Sequence, residues 1–228
     1  MTGADSAAAQ ARQVVLATNN AKKLAELRRI VGEAAVGVQV LGLADVTAYP
    51  EPDETELTFE GNALLKARAC VAATGLPALA DDSGLTVAVL NGMPGVRSAR
   101  WSGPGASDTD NNELLLRQLE DVPDERRQAT FVCAMALVLP SGGEHVRRGE
   151  MSGRLIRELR GQNGFGYDAM FVADGQSLTT GEMSSEAKDA ISHRGIAVRA
   201  IAGVLAEALP EEQLADRGAA LAQRGRED

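Results

Sequence analysis

Apolar positions along the chain come in short runs with two alternating periods, broken by polar turns. Val14-Val15-Leu16-Ala17 is a β-branched run suited to a buried strand; the polar turn Thr18-Asn19-Asn20 follows, then helical spacing from Lys22 to Val31. Val38–Leu41 predicts a second strand. Residues 44–57, rich in Pro, Asp and Glu and without a period, read as a functional loop. Thr58 can cap a helix running to about Ala73, with Glu60 in its first turn and Gly75 as the stop; three-to-four spacing then puts Asn62, Lys66 and Ala69 on one face. Ala78-Leu79-Ala80 predicts a strand that hands over to a turn at Asp81-Asp82-Ser83-Gly84, with a further strand over Leu85–Leu90. Asp108–Leu119 reads as a helix burying Leu114, Leu115 and Leu119, and Thr130–Leu139 as a strand turned by Gly142-Gly143 into His145–Met151. A glycine-rich passage, Gly161–Asp168, precedes a strand over Ala169–Val172, and a last helix runs from near Ser192 to Leu209. The pattern is α/β, with an antiparallel portion in a mixed sheet.

Composition narrows this picture. At 228 residues, with 44% hydrophobic and 24% charged, the chain suits one large domain or two intimately joined lobes. Residues 14–209 carry the pattern, and 1–13 and 210–228 are expected to be flexible or frayed ends. The N-terminus lacks a secretory signature and no uncharged apolar run is long enough to span a bilayer, so a soluble, cytoplasmic protein is expected. Cys70 and Cys133 read as buried small hydrophobes rather than a disulfide framework. A net charge of −9 opposes loose association with nucleic acid, which depends on phosphate neutralisation. A small anion remains compatible, because clustered lysines or a metal ion can make a local positive field.

Several segments then carry candidate chemistry, each beside a plainer reading. Thr18 to Lys23, between strand and helix, offers amides and ammonium groups to an anion, or is an Asx turn with solvated lysines. It lacks the glycines of a P-loop. Asp81 and Asp82 at a strand end suit Mg²⁺, a hard cation that shares its shell with water and phosphate, or form an ordinary turn. Lys66 either snorkels from its helix or points to a phosphate. Asn163-Gly164-Phe165-Gly166-Tyr167-Asp168 sets two rings among glycines in a chain with 3% aromatics; the rings stack on a base or pack inward. Lys188 and Ser192-His193-Arg194-Gly195 bracket the start of the last helix, where His193 and Arg194 can donate to a base carbonyl or a phosphate, or simply cap the helix.

In their order these segments resemble the inosine-triphosphate pyrophosphatase family, which cleaves non-canonical purine nucleoside triphosphates. The resemblance runs from Val14 to about Leu209 through Ala17–Lys23, Thr58–Ala63, Ala80–Leu85, Pro94–Arg100, Gly164–Asp168 and Ala190–Gly195. It implies an elongated mixed sheet flanked by helices, two lobes around a central nucleotide cleft, a homodimer, and Mg²⁺-dependent release of pyrophosphate from inosine, deoxyinosine or xanthosine triphosphate. By position it implies Asp82 as the catalytic acid residue, with Lys23 and Lys66 also catalytic. Thr18, Asn19, Asn20, Ala21, Lys22, Lys23 and Lys188 fall on the triphosphate, and Ser83, Phe165, Gly166, Tyr167, Asp168, His193 and Arg194 on the nucleotide and base. Asp81, Asp82, Asp53 and Glu54 are the implied metal ligands. Asn19 and Glu56 stand where glycine is common, Ala169 where proline is, and Met151 where tryptophan is. Two other functions share some of these features: a Maf-type pyrophosphatase, and a non-catalytic nucleotide-binding regulator that would leave the paired aspartates without a task.

Overall fold

A computed structural model describes residues 12–34 and 38–209, so the expectations for the chain ends before Arg12 and after Leu209 lie outside the described residues. Six strands form one mixed sheet in the order β2-β1-β3-β4-β5-β6. β1 (Arg12–Leu16) pairs in parallel with β2 (Val38–Leu41) and with β3 (Ala78–Val87). β3 then runs antiparallel to β4 (Gln128–Val138), β4 to β5 (Glu144–Leu155), and β5 to the short β6 (Phe171–Ala173). The expected mixed sheet is therefore present, and its antiparallel part begins at β3.

Helices cover both faces, each by an apolar stripe. α2 (Phe59–Thr74) buries Phe59, Asn62, Ala63, Lys66, Ala67 and Cys70, a three-to-four repeat in which two members are polar. Thr58 caps it by accepting from the Gly61 amide, and Gly75 ends it in the left-handed region. On the other face α1 (Ala21–Ala34) and α5 (His193–Ala208) pack Ile30, Val31, Val198, Ile201 and Leu205 against Val14, Leu16 and Leu79. A separate core lies at the other end of the sheet, where α3 (Asp108–Gln118) contributes Leu115 beside Leu85, Phe131, Tyr167 and Phe171. The α5 backbone sits directly on β5 at Gly149, where a Cβ would fall 2.1 Å from the His193 carbonyl oxygen. Only glycine permits that approach, which sets the start of α5 against the sheet.

Three expectations are corrected. Asp81-Asp82-Ser83-Gly84 is not a turn between two strands: β3 is continuous, and its pairing with β4 carries through Asp81↔Met135 and Ser83↔Cys133. The buried carboxylates are tolerated in mid-strand because each has cations or donors beside it. Ala169 and Met170 belong to a 3-10 segment (Gly166–Met170), leaving only Phe171–Ala173 as strand. A short helix, α4 (Ser185–Ile191), precedes α5 and was not read from the sequence, being too brief for a clear period. Both cysteines are fully buried and free. No helix of the described residues is long and apolar enough to cross a membrane.

Candidate active site

Side chains alternate across a strand, so neighbouring aspartates on β3 must face opposite sides of the sheet. That single rule separates Asp81 from Asp82. Asp82 turns toward α2, where its Oδ2 accepts from Asn62 Nδ2 at 3.1 Å and its Oδ1 lies 3.8 Å from Lys66 Nζ. Asp81 turns toward α1 and α5: its Oδ2 accepts from Lys23 Nζ at 2.8 Å and from the Ser83 hydroxyl at 2.9 Å, and lies 4.0 Å from Arg194 Nε. The two carboxylates thus have different hydrogen-bond partners, while the Lys66 charge reaches both.

The two acids differ in ionisation. Burial pushes Asp82 up to about 6, the charge of Glu54 adding to it against Lys66 and the Asn62 hydrogen bond. Burial also opposes charge on Asp81, but Lys23, Arg194 and Lys66 hold its carboxyl well below the usual carboxylate range. Asp81 Oδ1 is buried without a hydrogen-bond partner.

The acidic loop reaches over from the α2 side. Glu54 accepts from Lys66 Nζ at 3.0 Å and from Arg100 Nη1 at 2.7 Å, and these cations keep its carboxyl below its ordinary value despite burial. Glu51 accepts from Asn19 Nδ2 at 2.5 Å, joining the loop to the turn before α1. In that turn Asn20 Oδ1 accepts from the Lys23 amide and so caps α1. Asp53 is exposed and lies outside the cavity lining, as does Ala21 at the start of α1. Lys22 is in α1, but its side chain lies outside what is described.

Glu51, Glu54, Lys23 and Lys66 line one cavity of about 310 Å³, while Asp81 and Asp82 are not among its lining residues and meet it through Lys23, Ser83 and Lys66. Thr18, Asn19, Asn20, Lys23, Lys66 and Ser83 line it together with Phe165, Gly166, Tyr167, His193 and Lys188, and Arg194 joins the two groups, lying near both Asp81 and the Phe165 ring. Lys188 Nζ bonds Asp168 Oδ2 at 2.5 Å, and both side chains are buried. Asp168 further accepts from the Thr180 hydroxyl and the Phe165 amide, so its carboxylate is fully engaged within the protein.

The two rings of the glycine-rich passage part company. Tyr167 is buried and its hydroxyl donates to the Ser98 carbonyl at 2.9 Å, a packing role, whereas Phe165 is half-buried with Arg194 at 5.2 Å and Lys188 at 5.6 Å from its ring centre. His193 stacks on Phe131 at 4.9 Å, and burial, with Arg194 and Lys188 adding, holds its imidazole well below its usual value. That shift favours the neutral imidazole, in which only one ring nitrogen can donate.

Sequence reasoning passed over Asn62 as a partner of Asp82, Arg100 as a partner of Glu54, and Asp108, Asn111 and Ser98 on the cavity wall. Asn62 carried a signal: with Lys66 it is a polar residue inside an otherwise apolar helical stripe. No cluster of three or more His, Cys, Asp or Glu able to hold a metal occurs among the described residues. What they do hold is a raised carboxyl, Asp82, close enough to Glu54 to feel its charge. That pair fits a hard divalent cation whose remaining ligands are water and phosphate oxygens.

Comparison with known proteins agrees with this architecture. A family model described as the Ham1 family matches residues 14–204. A dITP/XTP pyrophosphatase of Cutibacterium acnes is 61% identical over 191 residues, covering 83% of this chain and 94% of that protein. One of Nocardia farcinica is 59% identical over 195 residues, covering 85% and 95%. Among solved structures, a HAM1 protein from Coxiella burnetii superposes with a TM-score of 0.79 at 40% identity, covering 86% of this chain and 98% of that one. A nucleoside-triphosphatase / dITP/XTP pyrophosphatase from Mycobacterium abscessus does so with a TM-score of 0.70 at 52% identity, covering 85% and 98%. With a family match over most of its length and relatives this similar, the chain belongs to the Ham1 family.

Proposed function

We propose that this protein hydrolyses non-canonical purine nucleoside triphosphates, those of inosine, deoxyinosine and xanthosine, to the monophosphate and pyrophosphate, with Mg²⁺ as cofactor. The observation that carries the reading is one cavity lined by Lys23, Lys66 and Lys188, each paired with a carboxylate, and by an aromatic ring beside a guanidinium. The names of the relatives point the same way.

In the reaction a water attacks the α-phosphorus; a P–O bond forms, the bond to the bridging oxygen breaks, and pyrophosphate leaves with the electron pair. Asp82 takes the water's proton. In the metal-free protein burial raises its carboxyl to about 6, which leaves it mostly ionised at neutral pH and so able to act as a base. Lys23, Lys66 and Lys188 orient the triphosphate and oppose its charge.

Each of these ammonium groups already has a carboxylate partner, in Asp81, Glu54 and Asp168. The protein alone thus leaves much of the triphosphate's charge unmatched, which is the physical case for a divalent cation. Asp82 and Glu54 would hold Mg²⁺, which when bound supplies charge neutralisation on the phosphate oxygens and fixes their orientation. At the other end Phe165 stacks the base and Arg194 donates to a 6-oxo group. A 6-amino group leaves that donor unpaired, at a cost of about 1–3 kcal/mol.

Pyrophosphate release with and without Mg²⁺, from inosine, xanthosine, adenosine and guanosine triphosphates, tests the proposal. Metal-dependent release favouring inosine and xanthosine is expected. No release from any of them would refute the activity, and equal kcat/KM for all four would refute the base reading. Resemblance to the family further supports a cytoplasmic homodimer, and a net charge of −9 a nucleotide rather than a nucleic acid as partner. Sedimentation as a monomer at micromolar concentration would remove the dimer.

A further inference from the structure

Helix α3 carries Asp108, Asn111, Asn112 and Leu115 at i, i+3, i+4 and i+7, one stripe along its length. Leu115 is fully buried in the core beneath the aromatic end of the cleft, while the three polar residues reach the two backbone segments that line that end. Asn111 ties one of them: its Oδ1 accepts from the Ser102 amide at 2.8 Å and its Nδ2 donates to the Ala99 carbonyl at 3.2 Å. Asp108 and Asn112 tie the other at a single residue. Asp108 Oδ2 accepts from the Gly166 amide at 2.7 Å, and Asn112 Nδ2 donates to the Gly166 carbonyl at 2.9 Å.

Gly166 has φ +61 and lies between Phe165, whose ring meets Lys188 and Arg194, and Tyr167, whose hydroxyl is tied to Ser98. Its amide and carbonyl are thus both held by side chains one helical turn apart. Asn112 is 4% exposed, and its Oδ1 is buried without a partner, a penalty that an apolar residue would avoid. Packing alone does not call for asparagine there; a grip on Gly166 does. Asn112 is also absent from the cavity wall, and its side-chain link to that wall is the Gly166 backbone.

We propose that Asp108 and Asn112 are positioning residues for purine selection, gripping Gly166 from both sides so that the Phe165 ring is held against Lys188 and Arg194, where 6-oxo and 6-amino purines are told apart. This rests on the pyrophosphatase reading above and assigns the specificity of that site to a helix beside it.

The experiment compares Asp108→Ala, Asn112→Ala and the double variant by kcat/KM for inosine and adenosine triphosphates, with thermal melting as a control. Each single variant is expected to lower the inosine-to-adenosine ratio by at least about tenfold, the loss of a hydrogen bond to a charged or buried group, with KM moving more than kcat. Asp108→Asn, whose amide oxygen can still accept from Gly166, restores most of the ratio. The double variant is no worse than the worse single one, as expected for two halves of one grip. Single variants with the wild-type ratio, or effects that multiply in the double variant, overturn the proposal. Should Asn112→Ala fail to fold, Asp108→Ala decides, since Asp108 is exposed and its loss spares the core. A wild-type protein that cleaves neither nucleotide refutes the pyrophosphatase reading instead, and the grip is then judged by the ratio of dissociation constants for the same two nucleotides, measured by calorimetry on the same variants.

Discussion

At the phosphate end of the cleft, Lys23–Asp81, Lys66–Glu54 and Glu54–Arg100 form a network of largely buried ion pairs, whereas the base end is set by stacked rings and by side chains that hold backbone. The phosphate end is costly to disturb, because removing one partner strands a buried charge, typically about 3–5 kcal/mol. The base end depends on distances between chain segments, so small displacements there change which nucleotide fits before they change whether the protein folds. Turnover should therefore be governed at the first end and selectivity at the second, with Lys188, paired to Asp168 yet near the Phe165 ring, and Arg194, near both Asp81 and that ring, belonging to both.

The largest effect expected at the phosphate end is from Asp82→Asn, which should lower kcat by about 10²- to 10⁴-fold while nucleotide binding by calorimetry persists. Near-normal turnover in that variant would erase the distinction between the two ends. Next, Lys188→Ala leaves Asp168 buried beside no ammonium and should destabilise the protein by about 3–5 kcal/mol in urea unfolding. A change under about 1 kcal/mol would mean that the pair is better solvated than its burial indicates.

Phe165→Ala should weaken nucleotide binding by about 1–3 kcal/mol, seen as a raised KM with kcat less affected. A loss confined to kcat would move this ring from the base end to the reacting end. The smallest effect concerns pH. Burial, with Arg194 and Lys188 and against Asp81, depresses His193 below its ordinary value of 6.5, so the unfolded chain takes up its proton first as pH falls. Its contribution to stability is complete above pH 6.5 and is lost progressively below it. His193→Gln should flatten that part of the melting-temperature profile measured without metal, and an unchanged slope would show that another group carries it.

Much of the fold was legible because it is local. Thr58 and Gly75 bound α2 as their capping chemistry requires, and Gly142-Gly143 turns β4 into β5. Lys66 on its largely apolar helix and Arg194 at the start of the last helix were both candidates in the sequence, and both line the cavity. What could not be read were relations between elements. Asp81-Asp82-Ser83-Gly84 has the composition of a turn, and only a full antiparallel partner in β4 keeps it extended. Asp53 and Glu54 are neighbours of similar chemistry, and only the placement of Lys66 and Arg100 brings Glu54 to the cleft and leaves Asp53 in solvent. Tyr167 and Phe165 are likewise two rings one glycine apart, divided by the position of Ser98.

The amino-acid order by itself determined the alternation of strands and helices, the caps that bound them and the residue types able to meet a nucleotide, since each follows from interactions within a few residues of chain. The tertiary structure decided which of two adjacent aspartates meets Lys66, which acidic-loop carboxylate reaches the cleft, and how α3 grips Gly166. Those outcomes depend on strand pairing and on separate elements being packed to within reach of each other, as Lys66 is to Glu54 across 12 residues and Asp108 to Gly166 across 58. Contacts of that kind are fixed by the shared core and not by local preference, which is why they emerge only once the sheet is assembled.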